Sequence, residues 1–283
     1  MTWCRLVAAD LDGTLLDAAG CASAATRETV QALRDAGVVL ALATARRYTG
    51  AAPAAEDLGL LGPVIVCDGA LTCTYPSAEV LEREALPAAI AHAAASVLAA
   101  HGLRPLVQYW DGGCDRLRIG PAADGAAHEA AYLARYSQQV TELSLDRLCA
   151  DSVDPLRLVA FGPPDRLAPA ARELRSLACG VQVLPMGSYG TAELTVFSPT
   201  ASKGAALRAL ARRLGVPLAA TFAIGDGLND RSLFAAAGFS VAMEGAPADL
   251  LDLADAVAPP NDRDGAAIAL RRYVLDRDTP PHA

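Results

Sequence analysis

The chain has 283 residues, an apolar share of 53 % and a formal net charge of −8. That length allows two domains or one large α/β domain. The negative balance argues against a nucleic-acid or anionic-membrane partner, while leaving room for a small anionic ligand in a local pocket. No apolar stretch is long and unbroken enough to expect a membrane span. The residues after Arg5 run straight into Asp10, with no room for a signal-peptide core and cleavage site, so a cytoplasmic location is expected. Seven cysteines (Cys4, Cys21, Cys67, Cys73, Cys114, Cys149, Cys179) include no C-x-x-C pair and lie apart from the four histidines. They read as buried free thiols, not as zinc ligands or disulfides.

In chain order, Leu6 to Ala9 is short and apolar enough for a buried strand, and it delivers Asp10-Leu11-Asp12-Gly13-Thr14 where a central strand would end. Ala24 to Ala36 carries Val30 and Leu33 at helical spacing and stops at Gly37. Val38 to Ala43 is a second buried strand ending in Thr44-Ala45-Arg46, and Pro63 to Cys67 is a third, turned away by Asp68-Gly69. This is the alternation of a doubly wound parallel sheet. From Leu81 to Ala192 the pattern changes. A helix over Leu86 to Ala100 precedes a hairpin signal at Asp111-Gly112-Gly113, between strands Leu106 to Trp110 and Arg116 to Ile119. A helix near Ala126 to Tyr136, a strand at Leu156 to Phe161, a helix from Leu167 to Leu177 and strands at Val181 to Leu184 and Glu193 to Phe197 follow. Parallel writing then resumes: a helix opened by Ser202-Lys203-Gly204, the strand Thr221 to Ile224 leading into Gly225-Asp226-Gly227-Leu228-Asn229-Asp230, a strand at Phe239 to Ala242 and a last helix over Gly265 to Leu275. The fold expected is a Rossmann-like α/β core domain made of 1–80 and 193–283, with an inserted α+β domain over 81–192.

Parallel strands present their C-terminal ends together, so Asp10, Asp12, Thr44 and Asp226 converge on one sheet edge, with Lys203 arriving at a helix start. Three carboxylates suit a hard divalent cation, for which magnesium is the expectation, and a hydroxyl with an ammonium suits a phosphoryl group. Basic-residue usage sharpens the lysine: twenty-three arginines stand against one lysine, Lys203. Surface charge does not need that exception, whereas a compact point charge on a phosphate oxygen does. Both asparagines, Asn229 and Asn261, also fall in candidate site loops. Taken singly each feature has a bland reading. A lone D-x-D is commonly a solvated turn, Gly225-Asp226-Gly227 a turn signal, Arg46 a salt-bridged helix-start residue, and Tyr109 and Trp110 hairpin packing. Their joint placement on one sheet edge is much harder to obtain by accident.

On these residues the chain resembles the haloacid dehalogenase superfamily, specifically the Cof-type phosphatases with the larger α+β cap (class IIB). Asp10-Leu11-Asp12-Gly13-Thr14 matches the first motif, Thr44 the second, Lys203 the third, Gly225 to Asp230 the fourth, and Asn261 to Gly265 the closing motif. The resemblance implies a magnesium-dependent phosphatase acting on a small phosphomonoester, such as a sugar or amino-sugar phosphate. In that family reading Asp10 is the nucleophile that becomes an aspartyl phosphate, and Asp12 is the acid and base. Asp10, Asp226 and the Asp12 backbone carbonyl hold the metal, and Asp230 supports from behind. Thr44, the backbone at Ala45, Lys203 and Asn229 hold the phosphoryl oxygens. A phosphomutase of the same fold is the rival within enzymes, and a metal- or phosphate-binding regulatory module the rival outside them. Three departures from the family pattern stand out: Ala45 where glycine is usual, Asp68 where asparagine precedes Gly69, and Gly245 where asparagine is common.

Overall fold

A computed structural model describes residues 2–122, 128–136, 140–150, 153–186 and 189–277. The chain opens with β1 (Leu6–Ala9), α1 (Ala24–Asp35), β2 (Val39–Ala43), α2 (Tyr48–Asp57), β3 (Gly62–Val66), β4 (Leu71–Tyr75) and β5 (Val80–Arg83). It continues with α3 (Ala88–Ala100), β6 (Leu106–Trp110), β7 (Asp115–Ile119), α4 (Ala130–Arg135), β8 (Val140–Glu142), β9 (Arg157–Phe161), α5 (Pro164–Leu174), β10 (Gly180–Leu184) and β11 (Glu193–Phe197). Last come α6 (Lys203–Leu214), β12 (Thr221–Gly225), α7 (Arg231–Phe234), β13 (Phe239–Met243), α8 (Ala248–Leu251), β14 (Ala256–Ala258) and α9 (Gly265–Leu270), whose end continues as a π-turn over Arg271–Leu275. The chain divides into two compact units, Met1–Arg83 with Ser202–Ala283, and Glu84–Ala201.

In the first unit an eight-stranded sheet runs β14-β13-β12-β1-β2-β3-β4-β5. β1 pairs in parallel with both β12 and β2, and sequence order reverses there. That reversal is the topological switch point, where open α/β sheets leave a crevice beyond their strand ends. The strands can sit between helical layers because they are small and apolar: Leu6, Ala8, Ala41, Ala43, Ala223 and Ala242 pack with Leu207, Leu210 and Leu233 in one buried cluster. Caps fix the ends of the helix that carries Lys203. The Ser202 hydroxyl accepts from the Ala205 backbone N–H at 3.1 Å, and Gly215 closes the helix in the left-handed region.

The second unit is built on a six-stranded sheet, β10-β11-β9-β6-β7-β8, antiparallel except between β7 and β8. Helices α3 and α5 cover one face through Ala91, Leu98, Leu167 and Leu174, against Val107, Leu158 and Val196. Tyr132 and Tyr136 pack on Leu106, Leu117 and Phe161 of the other face.

The division point differs from the expected 80/81 and 192/193. β5 pairs with β4 in the first sheet, and β11 lies between β9 and β10 in the second, so ladder partners carry Val80–Arg83 into the first unit and Glu193–Phe197 into the second. β4 and β5, which add antiparallel strands to the first sheet, were not expected from the sequence. Of the helix expected near 126–136, residues 126–127 lie outside the described residues, and the rest forms the short α4. Among the described residues no helix is long and apolar enough to cross a membrane.

Candidate active site

Asp10 stands one residue beyond β1, its backbone N–H donating to the Ile224 carbonyl of β12 at 3.0 Å. Asp226 stands one residue beyond β12. The two carboxylates therefore leave adjacent parallel strands at the same end, at the switch point. Lys203, first residue of α6, is fully buried, and its Nζ donates to Asp10 Oδ1 and to Asp230 Oδ1, both at 2.7 Å. Asp230 Oδ2 accepts from the backbone N–H groups of Asp226 (3.1 Å) and Gly227 (3.0 Å), which curls the loop after β12 around its own last residue. Thr14 Oγ1 donates to Asp226 Oδ1 at 2.9 Å.

Two glycines make room for this crowding. Gly13 has φ of +80°, and a Cβ there would lie 2.3 Å from Asp226 Oδ2. A Cβ on Gly225 would lie 2.4 Å from the Asp230 Cγ. The D-x-D-G and G-D-G spellings are thus packing requirements of the cluster as well as turn chemistry.

Charge is out of balance here. Burial pushes the Asp10 carboxyl well above the ordinary carboxylate range, and the opposing pull of Lys203 is countered by Asp230 and Asp226. Asp226 is raised too, again by burial, against the Thr14 hydrogen bond. Burial acts to lower Lys203, but Asp10 and Asp230 outweigh it and hold the ammonium above its usual value. One buried cation therefore serves more buried negative charge than it neutralises. One oxygen from each of Asp10, Asp226 and Asp230 lies within 4.8 Å of the others, a set of hard anionic oxygens that fits a divalent cation. Within the set Asp230 is the most fully engaged, since both of its oxygens already accept hydrogen bonds from Lys203 and the loop backbone. Asp10 and Asp226 are the better placed to meet a cation.

The other residues expected at the site are each held by contacts of their own. Thr44 is buried beyond β2, and its Oγ1 accepts from the Arg46 backbone N–H at 3.1 Å. Ala45 is exposed between them. Asn229 Nδ2 donates to Asp68 Oδ1 at 3.0 Å, joining the loop after β12 to the turn after β3, where Asp68 takes φ of +54°. Asp12 is set apart from the three-carboxylate cluster. Its side chain is 58 % exposed, and both oxygens accept from the Arg46 guanidinium, from Nε at 2.8 Å and Nη2 at 2.5 Å. Asn261 instead ties the closing loop down, its Nδ2 donating to the Leu16 carbonyl at 2.6 Å. Two participants were missed in the sequence reading. Thr14 lies inside the first motif but its contact to Asp226 spans 212 residues, and Arg46 gave only a helix-start signal.

Residues 7–270 match the family of haloacid dehalogenase-like hydrolases. The chain is 29 % identical to Phosphatase YwpJ of Bacillus subtilis over 288 residues, covering 95 % of this chain and 100 % of that one. It is 32 % identical over 257 residues to the HMP-PP phosphatase of Cronobacter sakazakii, covering 87 % and 86 % of the two chains. Among solved structures, a haloacid dehalogenase-like hydrolase from Bacteroides thetaiotaomicron, 26 % identical, matches with a TM-score of 0.78 over 95 % of this chain and 99 % of its own.

Proposed function

The chain belongs to the haloacid dehalogenase-like hydrolases, and we propose that it is a magnesium-dependent phosphatase that hydrolyses a small phosphomonoester, a sugar or amino-sugar phosphate, through an aspartyl phosphate on Asp10. One observation carries this reading: the fully buried Lys203 ammonium lies between Asp10 and Asp230, in a cluster with more carboxylates than it can neutralise. Such a cluster is costly by itself and makes chemical sense as a seat for a cation and a phosphoryl group.

The reaction proposed has two steps. A carboxylate oxygen of Asp10 attacks phosphorus and the bond to the leaving oxygen breaks, while Asp12 gives that oxygen its proton. Asp12, now ionised, takes a proton from water as the water oxygen attacks phosphorus. The bond from phosphorus to Asp10 breaks, and inorganic phosphate leaves with both partners restored. Lys203, Thr44, the backbone at Ala45 and Asn229 bind the non-bridging oxygens and stabilise their charge in the transition state. Asp10, Asp226 and the Asp12 backbone carbonyl would hold magnesium, and Asp230 would keep Lys203 and the loop in place. When bound, the cation supplies neutralising charge for the phosphoryl group and the carboxylates.

Asp68 bears on substrate choice. A carboxylate beside a phosphate site repels anions and favours a substrate offering hydroxyls or an amine, which is why polyol and amino-sugar esters are the class proposed. The test is phosphate release from sugar, amino-sugar and nucleotide phosphates, with magnesium and then with excess EDTA. Turnover should vanish on chelation and return when magnesium is restored. Full activity in excess EDTA would overturn the metal assignment.

A further inference from the structure

We propose that Arg46 is a positioning residue for Asp12: its guanidinium fork holds the carboxylate that protonates the leaving group in the orientation from which it can do so. The proposal rests on the acid role given to Asp12 above. Arg46 grips Asp12 with two parallel N–H···O bonds, at 2.8 Å from Nε and 2.5 Å from Nη2, the geometry in which arginine recognises a carboxylate as a rigid plane. A carboxylate that is 58 % exposed and one bond from solvent would otherwise turn about its own side-chain torsions. Each Asp12 oxygen accepts one of these bonds and keeps a second lone pair, and on one of the two that lone pair carries the proton to be given to the leaving oxygen. The clamp therefore fixes the group without closing it to a substrate.

The clamp is itself anchored at three points. Arg46 Nη1 donates to the Gly50 carbonyl in the first turn of α2 at 3.0 Å. Its backbone N–H donates to Thr44 Oγ1 at 3.1 Å, and its carbonyl accepts from the Cys67 N–H at 2.9 Å. The ends of β2 and β3 thus hold the arginine, and the arginine holds Asp12. Asp12 also differs from Asp10 in setting: its side chain is exposed where Asp10 is buried, and it lies outside the group of carboxylates that would face a cation.

The experiment compares leaving groups. p-Nitrophenolate departs without a proton, whereas an alkyl or sugar alkoxide does not, so kcat/KM on the two esters separates help to the leaving group from everything else. Arg46→Gln and Arg46→Lys should each lose about 10- to 100-fold in kcat/KM on a sugar phosphate and no more than about 3-fold on p-nitrophenyl phosphate. Lysine, with charge but no fork, should rescue poorly. In an Asp12→Asn background Arg46→Gln should add almost nothing. Equal losses on both esters, carried in KM, would assign Arg46 to binding the phosphoryl group and overturn the proposal. So would losses that add to those of Asp12→Asn. If Asp12→Asn alone costs nothing on the sugar phosphate, the acid role itself fails, an outcome separate from any result on Arg46. Circular dichroism of each variant checks that the fold is kept.

Discussion

Lys203 in the first unit and Arg104 in the second are each a buried cation paired with two carboxylates, and the two clusters differ in how their charge is met. In the second unit the Arg104 fork is fully engaged: Nε donates to the Gly120 carbonyl at 2.7 Å, Nη1 to Glu129 at 3.0 Å and Nη2 to Glu142 at 2.8 Å. Glu142 reaches solvent with 60 % of its side chain, which disperses its charge. In the first unit Lys203, Asp230 and Asp10 have 0 %, 0 % and 9 % of their side chains exposed, and Asp226 lies beside them. The difference follows from topology. Antiparallel neighbours send the residues that follow them to opposite ends of a sheet, whereas parallel strands bring the residues after β1 and β12 to one end. Convergence concentrates carboxylates at one buried point, a set that suits a cation.

The sharpest way to break that contrast is to remove the carboxylate proposed as nucleophile. Asp10→Asn keeps an oxygen for Lys203 but offers no carboxylate to phosphorus, so turnover should fall to background in a phosphate-release assay. A variant that still turns over would place the chemistry elsewhere on the sheet edge. Next in size is Lys203. Lys203→Arg and Lys203→Ala should each lose about 100- to 1,000-fold in kcat, since a planar guanidinium does not fit the buried point between Asp10 and Asp230. If the arginine variant equals the parent, charge alone suffices and the argument from the chain's one lysine is wrong. Steady-state kinetics on both, with folding checked by circular dichroism, decides between the two.

Reading the sequence reached further at the strand ends than around them. Asp10, Thr44 and Asp226 could be placed together because each follows a short apolar run, and parallel strands share an end. Lys203 and Asn229 stood out by usage, as did Asn261, which proved to brace a loop through Leu16. What stayed hidden needed a third dimension. The fork from Arg46 to Asp12 joins residues 34 positions apart and has no local signature. The unit boundaries slipped because β5 and β11 take their identity from ladder partners, and a four- or five-residue strand reads the same in either sheet. Asp230 was expected behind the metal ligands. Distance sets it among the carboxylates, but its backbone hydrogen bonds mark it as a brace.

The smallest effect tests the structural side of the comparison. Burial raises the Glu129 carboxyl above its ordinary range despite the Arg104 pairing, so the fold disfavours its ionised form relative to the unfolded chain. A group whose folded value is raised contributes stability that is fully present below its unfolded pKa and is lost as pH rises through the folded value. Glu129→Gln removes that charge, keeps an acceptor for Arg104 Nη1 and leaves Glu142 and the Gly120 carbonyl on the rest of the fork. Its stability should match the parent in acid, where Glu129 is protonated, and exceed it at neutral pH by no more than about 1 kcal/mol. Arg104→Ala should behave oppositely, costing about 3–5 kcal/mol at neutral pH because it strands a buried carboxylate. Urea midpoints measured from acid to neutral pH separate the two cases. If Glu129→Gln is as damaging as Arg104→Ala at neutral pH, the ionised pair is worth more than its burial costs, and the second cluster would be a net source of stability.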